Sequence, residues 1–435
     1  MGRVALTGLG VITPLGRGVG PNWSAVREGA IGVRSLPASG RPTSMRCVGS
    51  VDDVALPSDL PESVLPHARF LNRSAILGVC AMRDAVRQAA LPVDTAAGRR
   101  SLYLATGDYT KLGYEFLLPA TRAAGGPGAA LDRAALNRAA IERVNPFFLL
   151  ECLHNNPYSF LTAAFGFMGP GTTLASQSPS GSSAVELACR AVRTGRADVA
   201  VAVGCSSWVN DVALFELAEL GLLSKGAQGT RSYRPLDRRR DGFLAGEGGA
   251  AVVLESEESA RARGARVFGW VDGVGSSTEP SPRMGVPQTA TLRAMRSALE
   301  DAGRSPRELG FVCCHGSGTR KGDRSELASL VALLAGDAAG VPVCALKAYT
   351  GHMGAASDVA EVALCVVAAS AGVVPGTAHF AEAEPPFAGL RIAASAQQCA
   401  RPVFLSASYG IGGQASALVV SAAPESAVSD GEETS

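Results

Sequence analysis

Short apolar runs rich in Val, Ala and Leu recur along this chain, separated by stretches of helical period, and that alternation restricts it to the α/β class, with a mainly parallel sheet covered on both faces. The strand candidates are residues 3–12, 101–107, 173–178, 198–204 and 249–255, then 266–275, 310–316, 341–348, 401–408 and 416–422. Five followed by five predicts a duplicated α/β unit. The join falls in the Glu-, Ala- and Arg-rich stretch from Glu255 to Gly264, so the expected units are 1–257 and 258–421. Ser183 to Thr194 places Val185, Leu187, Ala188 and Val192 on one side of a helix, whereas Ala360 to Ala371 is apolar nearly all round and should be buried. Residues 113–165, with the Gly- and Ala-rich tract from Ala123 to Ala130, fit neither period and read as an insertion lining a pocket or a subunit contact. The stretch 422–435 is small and acidic, the composition of a disordered tail.

Hydrophobic residues make up 47% and charged residues 18%, enough apolar surface for a substantial core. Lys+Arg number 40 against 39 Asp+Glu, so no global field recruits nucleic acid or an anionic membrane, and an acidic partner must meet a local patch. The cysteines stand singly except for Cys313 and Cys314, without the paired spacings of a zinc site or a disulfide framework. No metal is expected, and a reducing cytoplasm fits. The N-terminus lacks a signal-peptide pattern, and no uncharged apolar run is long enough to span a membrane. A P-loop is missing, and neither Gly8 and Gly10 nor Gly410, Gly412 and Gly413 stand as a dinucleotide fingerprint requires, so no cofactor is expected.

Four segments carry candidate chemistry, all at strand ends or strand-to-helix turns, where α/β folds place their sites. In GPGTTLASQSPSGSSAVELACRAVRTG a strand ends near Ser176 and a helix follows, which puts Ser178 at a helix N-terminus. That position suits a nucleophile, because free N–H groups stabilise developing negative charge, but on local sequence it suits a plain N-cap followed by Pro179 better. In CCHGSGTRKGDRSE and LKAYTGHMGAASD, His315 and His352 end strands among glycines, a setting that exposes an imidazole. Lys347 could orient a ring or hold charge. Asp323 and Glu326, spaced i and i+3 at a helix start, could cap it, bind Lys347 or hold a cation. In SASYGIGGQAS the glycines around Ile411 allow close backbone approach, and the N–H groups there could form half of an oxyanion hole.

Together with VALTGLGVITPLG at residues 4–16 and YRPLDRRRDGFLAGEGGAAVVLE at 233–255, these segments resemble the β-ketoacyl synthases of type II fatty acid and polyketide synthesis, over roughly residues 3–420. HGSGT at His315 is similar to the family's HGTGT, with Asp323 and Glu326 in register, and Lys347 with the Gly-His at His352 matches its second histidine motif. The resemblance implies the thiolase fold, duplicated βαβαβαββ halves in a five-layer α/β/α/β/α arrangement. It also implies a cofactor-free acyltransferase working on acyl-carrier-protein thioesters, with Ser178, His315, His352 and Lys347 catalytic, Asp323 and Glu326 supporting, and Ser178, Ile411 and Gly412 as oxyanion and gating positions.

The family writes its nucleophile as T-A-C-x-x-G, and aligning that glycine with Gly181 puts Ser178 where the cysteine should be. Gln177 replaces the alanine, Ile411 a phenylalanine, Ala415 an asparagine, and Asp358 stands where a glycine is usual. A thiol can be held as a thiolate by its surroundings. A serine hydroxyl needs a general base instead, and His315 or His352 is the candidate. The expected function is acyl transfer or condensation through an ester on Ser178. The alternatives are a non-catalytic partner resembling a chain-length factor and a malonyl-carrier decarboxylase, for which Gln177 is one residue out of place. The implied partners are an acidic acyl carrier protein, met by Arg231, Arg234, Arg238, Arg239 and Arg240, and a second subunit, either another copy or a cysteine-bearing ketosynthase.

Overall fold

Glycines in two strands show how the layers come together. In β1 (Val4–Thr13) a Cβ at Gly10 would lie 1.9 Å from the Ala81 carbonyl oxygen of α1 (Arg73–Ala89), and one at Gly8 would lie 2.2 Å from that of Ala85. In β6 (Gly269–Thr278) Gly273 and Gly275 meet the carbonyls of Ala298 and Ala294 in α4 (Gln288–Asp301) at 2.2 and 2.4 Å. Each helix therefore lies directly on the backbone of its strand, at a distance that only glycine allows. The same device in both halves is the clearest mark of the duplication.

The computed structural model describes residues 2–424 apart from 38–39, 53, 92–95, 108–116, 126–129, 177 and 281–287. The first half continues with β2 (Arg100–Thr106), α2 (Asn155–Phe165), β3 (Thr172–Ala175), α3 (Ser180–Arg193), β4 (Val199–Ser207) and β5 (Glu247–Ser256). The second runs from β6 and α4 through β7 (Phe311–Cys313), α5 (Arg320–Leu333), β8 (Pro342–Cys344), α6 (Ala355–Ser370), β9 (Val403–Tyr409) and β10 (Gln414–Ala422). Both halves thus read βαβαβαββ. Outward from the centre the strand orders are β1-β5-β4-β2-β3 and β6-β10-β9-β7-β8, and the halves meet where Val4–Leu6 pair with Gly269–Val271.

α1 packs on β1, β4 and β5, and α4 on β6, β9 and β10, forming outer layers, while α3 and α6 touch strands of both halves and fill the middle. That is the expected five-layer thiolase fold. Burial follows from position: α6, enclosed on both sides, has nearly every side chain buried, and Val359, Val362 and Leu364 each remove enough apolar surface to contribute about 1.5–3 kcal/mol.

The expectation of a mainly parallel sheet needs correcting. β2 runs parallel to β3 and β4, and β7 to β8 and β9, but β1, β5, β6 and β10 pair antiparallel at the centre. Apolar runs report burial on two faces and say nothing of direction; the tight turn between β9 and β10 makes that one pair antiparallel, and the other reversals come from longer connections. Within the supposed insertion, Leu118–Ala124, Arg133–Arg143 and Phe148–Cys152 are helical besides α2, with residues 113–116 and 126–129 outside the described residues. Ala422 ends β10 and Ala423 is buried, its N–H donating to Phe268 O, so the C-terminal stretch does not begin as a free tail; residues 425–435 are not described. No helix among the described residues is long and apolar enough to cross a membrane.

Candidate active site

Ser178 lies between the end of β3 and the start of α3, and the helix begins only at Ser180, with Pro179 at the N-cap. The side chain is 5% exposed, and its Oγ has no hydrogen-bond partner among the described residues. Ser178 is therefore not the cap that its local sequence favoured. A buried hydroxyl left unpaired costs stability unless something else uses it. Ser178 opens onto a cavity of about 370 Å³ shared with His315 and His352, with apolar walls from Trp208, Leu222, Phe243 and Ile411. The Gly410 turn presses on the same segment: a Cβ at Gly410 would lie 1.8 Å from the Ser178 carbonyl oxygen.

His315 follows β7 and is 2% exposed, His352 4%. Both are thus buried on the cavity floor rather than displayed, and His352 follows a helical turn, Lys347–Thr350, rather than a strand. Their rings lie 5.2 Å apart, with Trp208 and Phe243 5.1 and 4.8 Å from His352 and Tyr409 4.3 Å from His315. This aromatic cover is why the glycine-flanked imidazoles are not exposed. Trp208 is itself fixed by an Nε1–H bond to Gly107 O at 2.8 Å.

The two rings differ in one atom. Nδ1 of His352 accepts the Gly354 N–H at 3.1 Å, so the neutral ring carries its proton on Nε2 and is a donor there. Nδ1 of His315 is buried with no partner among the described residues. Burial pushes both imidazoles well below the ordinary histidine range, and the positive charge of Lys347 pushes the same way. They are neutral at physiological pH.

Lys347 is fully buried and donates to both carboxylate oxygens of Glu361, at 2.9 and 2.8 Å. Burial works against its charge, but Glu361, and Asp358 beyond it, outweigh that and hold the ammonium protonated. Asp323 and Glu326 therefore do not bind Lys347. Glu326 accepts the N–H groups of His315 and Gly316 at 2.7 and 2.9 Å, and Asp323 accepts from Ser317 Oγ and the N–H groups of Gly318 and Leu236. Both shape the loop that carries His315, while Thr319 caps α5. Burial, with Asp323 beside it, pushes the Glu326 carboxyl up to about 8. No group of three or more metal-ligating side chains occurs among the described residues.

Ile411 lines the cavity, but Gly412 does not, and the Gly410 N–H is already used by Gln414 O. The expected carrier-facing arginines are also largely spoken for. Arg240 is fully buried between Asp323 and Glu384, Arg234 bonds Gln228, Arg238 pairs with Glu382 and Arg239 with Asp237. The exposed cations at the cavity mouth are Arg320 and Lys321 instead. Gln177 lies outside the described residues.

Residues 1–260 match the β-ketoacyl synthase N-terminal domain and residues 268–381 its C-terminal domain. The chain belongs to the β-ketoacyl synthase family. This ketosynthase-family chain is 29% identical to the tetracenomycin polyketide synthase ketoacyl synthase alpha subunit of Streptomyces glaucescens, covering 96% of each chain. It is 25% identical to the 3-oxoacyl-[acyl-carrier-protein] synthase 2 of Staphylococcus aureus N315, over 96% of this chain and 97% of the relative. In structure it is similar to a type II polyketide ketosynthase in complex with its acyl carrier protein (TM-score 0.83, 24% identity, 97% and 100% covered). The ishigamide ketosynthase/chain length factor is similar as well (TM-score 0.81, 25% identity, 97% and 99% covered).

The sequence reading missed Glu361, Gly354, Trp208, Phe243 and Tyr409. Glu361 had a signal, since a lone acid inside AEVALCVVAASA needs a buried partner. The aromatic residues had none, because their common meeting point exists only in the folded chain.

Proposed function

We propose that this ketosynthase-family chain is an acyltransferase of the condensing-enzyme type, which takes acyl groups from acyl-carrier-protein thioesters as an ester on Ser178. The observation that carries the reading is the buried, unpartnered Ser178 hydroxyl in an apolar cavity shared with two neutral imidazoles. Ser178 Oγ attacks the thioester carbonyl carbon, its proton passes to a free ring nitrogen of His315, and the C–S bond breaks to release the carrier thiol, which takes that proton. His352, a donor through Nε2, is suited to the carbonyl oxygen rather than to the base role. Burial, with the positive charge of Lys347 acting the same way, keeps both rings neutral, and only a neutral His315 can accept the proton. Thioester to ester transfer runs downhill, so the enzyme loads readily and the acceptor decides the product.

The carrier would dock at the mouth beside Arg320 and Lys321. The chain would pair, with a copy or with another ketosynthase, through the outer edge of β3, which has no partner strand among the described residues. Intact-mass analysis after incubation with acyl-carrier-protein thioesters tests the central reading: one acyl mass is expected, mapped to Ser178 and absent in Ser178→Ala. No adduct from any donor, with product formation intact in Ser178→Ala, would leave the reading of a non-catalytic partner subunit in its place.

A further inference from the structure

The first turn of α3 presents N–H groups that need acceptors, and among the described residues just before it no side chain supplies one: Ser178 Oγ is unpartnered and Pro179 makes no side-chain cap. The acceptor comes from the other half of the molecule. Asp358, in the first turn of α6 and fully buried, lies with Oδ2 3.4 Å from the Ser182 N–H and takes a second bond from that of Gly181. Its Oδ1 accepts from Ser408 Oγ at 2.9 Å. Gly181 makes room for this approach, since a Cβ there would lie 2.9 Å from Asp358 Cβ and 2.2 Å from the Ala355 carbonyl oxygen.

We propose that Asp358 is the cap of the nucleophile helix and, through that, the positioning residue that fits this site to a hydroxyl rather than a thiolate. The proposal rests on the reading of Ser178 as the reacting group. A bare helix N-terminus stabilises an anion placed before it, which is how a cysteine there becomes a standing thiolate. Here a carboxyl already occupies the positive end; burial pushes it up while Lys347 and its hydrogen bonds pull it back down, and in its ionised form it would meet an anion at position 178 with a like charge. A serine loses nothing by this, because its proton leaves only when a base takes it during attack. Capping by Asp358 also frees Ser178 Oγ from the role that a serine before a helix would otherwise fill. The other charged groups near the carboxylate are Lys347, held by Glu361, and those around the cavity are the neutral His315 and His352, with Asp241, Arg320 and Lys321 toward the mouth.

The test introduces a thiol and titrates it. Ser178→Cys is compared with Ser178→Cys/Asp358→Asn, in which the amide keeps the shape and an acceptor but not the charge, and with Ser178→Cys/Asp358→Ser in case the amide disturbs folding. Each is alkylated with iodoacetamide across pH 5–10, the modified peptide is quantified at position 178, and thermal melting confirms the fold. In the single variant the thiol should titrate at or above the ordinary value of about 8.5. Removing the carboxylate should lower that by about one to two pH units, which from a value of about 8.5 raises the thiolate fraction at pH 7, and with it the alkylation rate, by about eight- to twenty-five-fold. A single variant already titrating below about pH 7, or three variants titrating alike, overturns the proposal. Iodoacetamide needs neither carrier nor acyl transfer, so a missing acyl adduct on Ser178 would remove the functional reading and leave this result to stand or fall separately.

Discussion

Ser178 and His352 occupy matching points of the two halves, each in the junction that leads from a third strand into a central helix, yet the junctions are built in opposite ways. Ser178 precedes α3 by two residues and His352 precedes α6 by three. The Ser178 hydroxyl has no hydrogen-bond partner among the described residues. His352 is bonded at its backbone N–H and C=O, to Leu244 and Gly246, and at Nδ1, and it lies among Trp208, Phe243 and His315. A repeated backbone brings the starts of two helices to one cavity; their side-chain bonding is unequal, with the Ser178 hydroxyl unpartnered among the described residues and His352 held through Nδ1. The second half also supplies the buried Asp323 and Glu326 behind the His315 loop, and the buried Lys347, Asp358 and Glu361.

The sharpest way to break this comparison is to treat the two histidines as equals. His315→Ala should slow acylation of Ser178 by about 10²- to 10⁴-fold through loss of a general base. His352→Ala should cost about 10²- to 10³-fold, as for a lost donor, with the pH profile unchanged in shape. Rapid-quench acylation kinetics read both, and a profile altered only by the His352 variant would reverse the assignment.

Lys347→Met should be next in size. It strands Glu361 in the core, and breaking a buried pair costs about 3–5 kcal/mol in chemical denaturation. Where the variant still folds, it should also let the imidazoles titrate nearer the ordinary range, moving the acid limb of acylation to higher pH. A stability loss below about 1 kcal/mol would show that the pair is not carrying a buried charge.

The pH dependence of the parent protein sharpens the same point. The folded imidazoles are pushed below the ordinary histidine value, so the base is neutral above and through about pH 6.5, and protonation removes activity only at lower pH. Acylation rates should therefore be flat from pH 8 down through 6.5. An acid limb centred at 6.5 or above contradicts the neutral pair. The smallest effect concerns Ser178→Ala, which should change stability by no more than about 0.5 kcal/mol, because the hydroxyl caps nothing; a loss of about 0.5–2 kcal/mol would return Ser178 to the capping role.

Much of this was legible locally. The ten strand runs all overlap strands, the two marked helices overlap α3 and α6, and the glycine-flanked histidines lie in the cavity, because period and turn chemistry act over a few residues. The arginine cluster misled because charge density along the chain does not reveal pairing: Arg240 looks like its neighbours in sequence and is fully buried in the fold. Of the roles open to Asp323 and Glu326 in the sequence, binding Lys347 is not the one the fold uses: Glu361 is the acid that packing brings to the ammonium, and nothing in its sequence position relative to the histidine motif marks it.

The sequence by itself determined the class, the order of strands and helices and the residues available for chemistry, since each depends on interactions between near neighbours. Only the tertiary structure decided which of them are free. Whether Ser178 caps a helix or faces a cavity with an unused hydroxyl depends on a carboxylate 176 residues from Ser182 along the chain, and whether His352 is a base or a donor depends on how Gly354 turns beneath it. Such choices are settled by three-dimensional competition for a few hydrogen-bonding atoms, where distance in sequence has no bearing on distance in space.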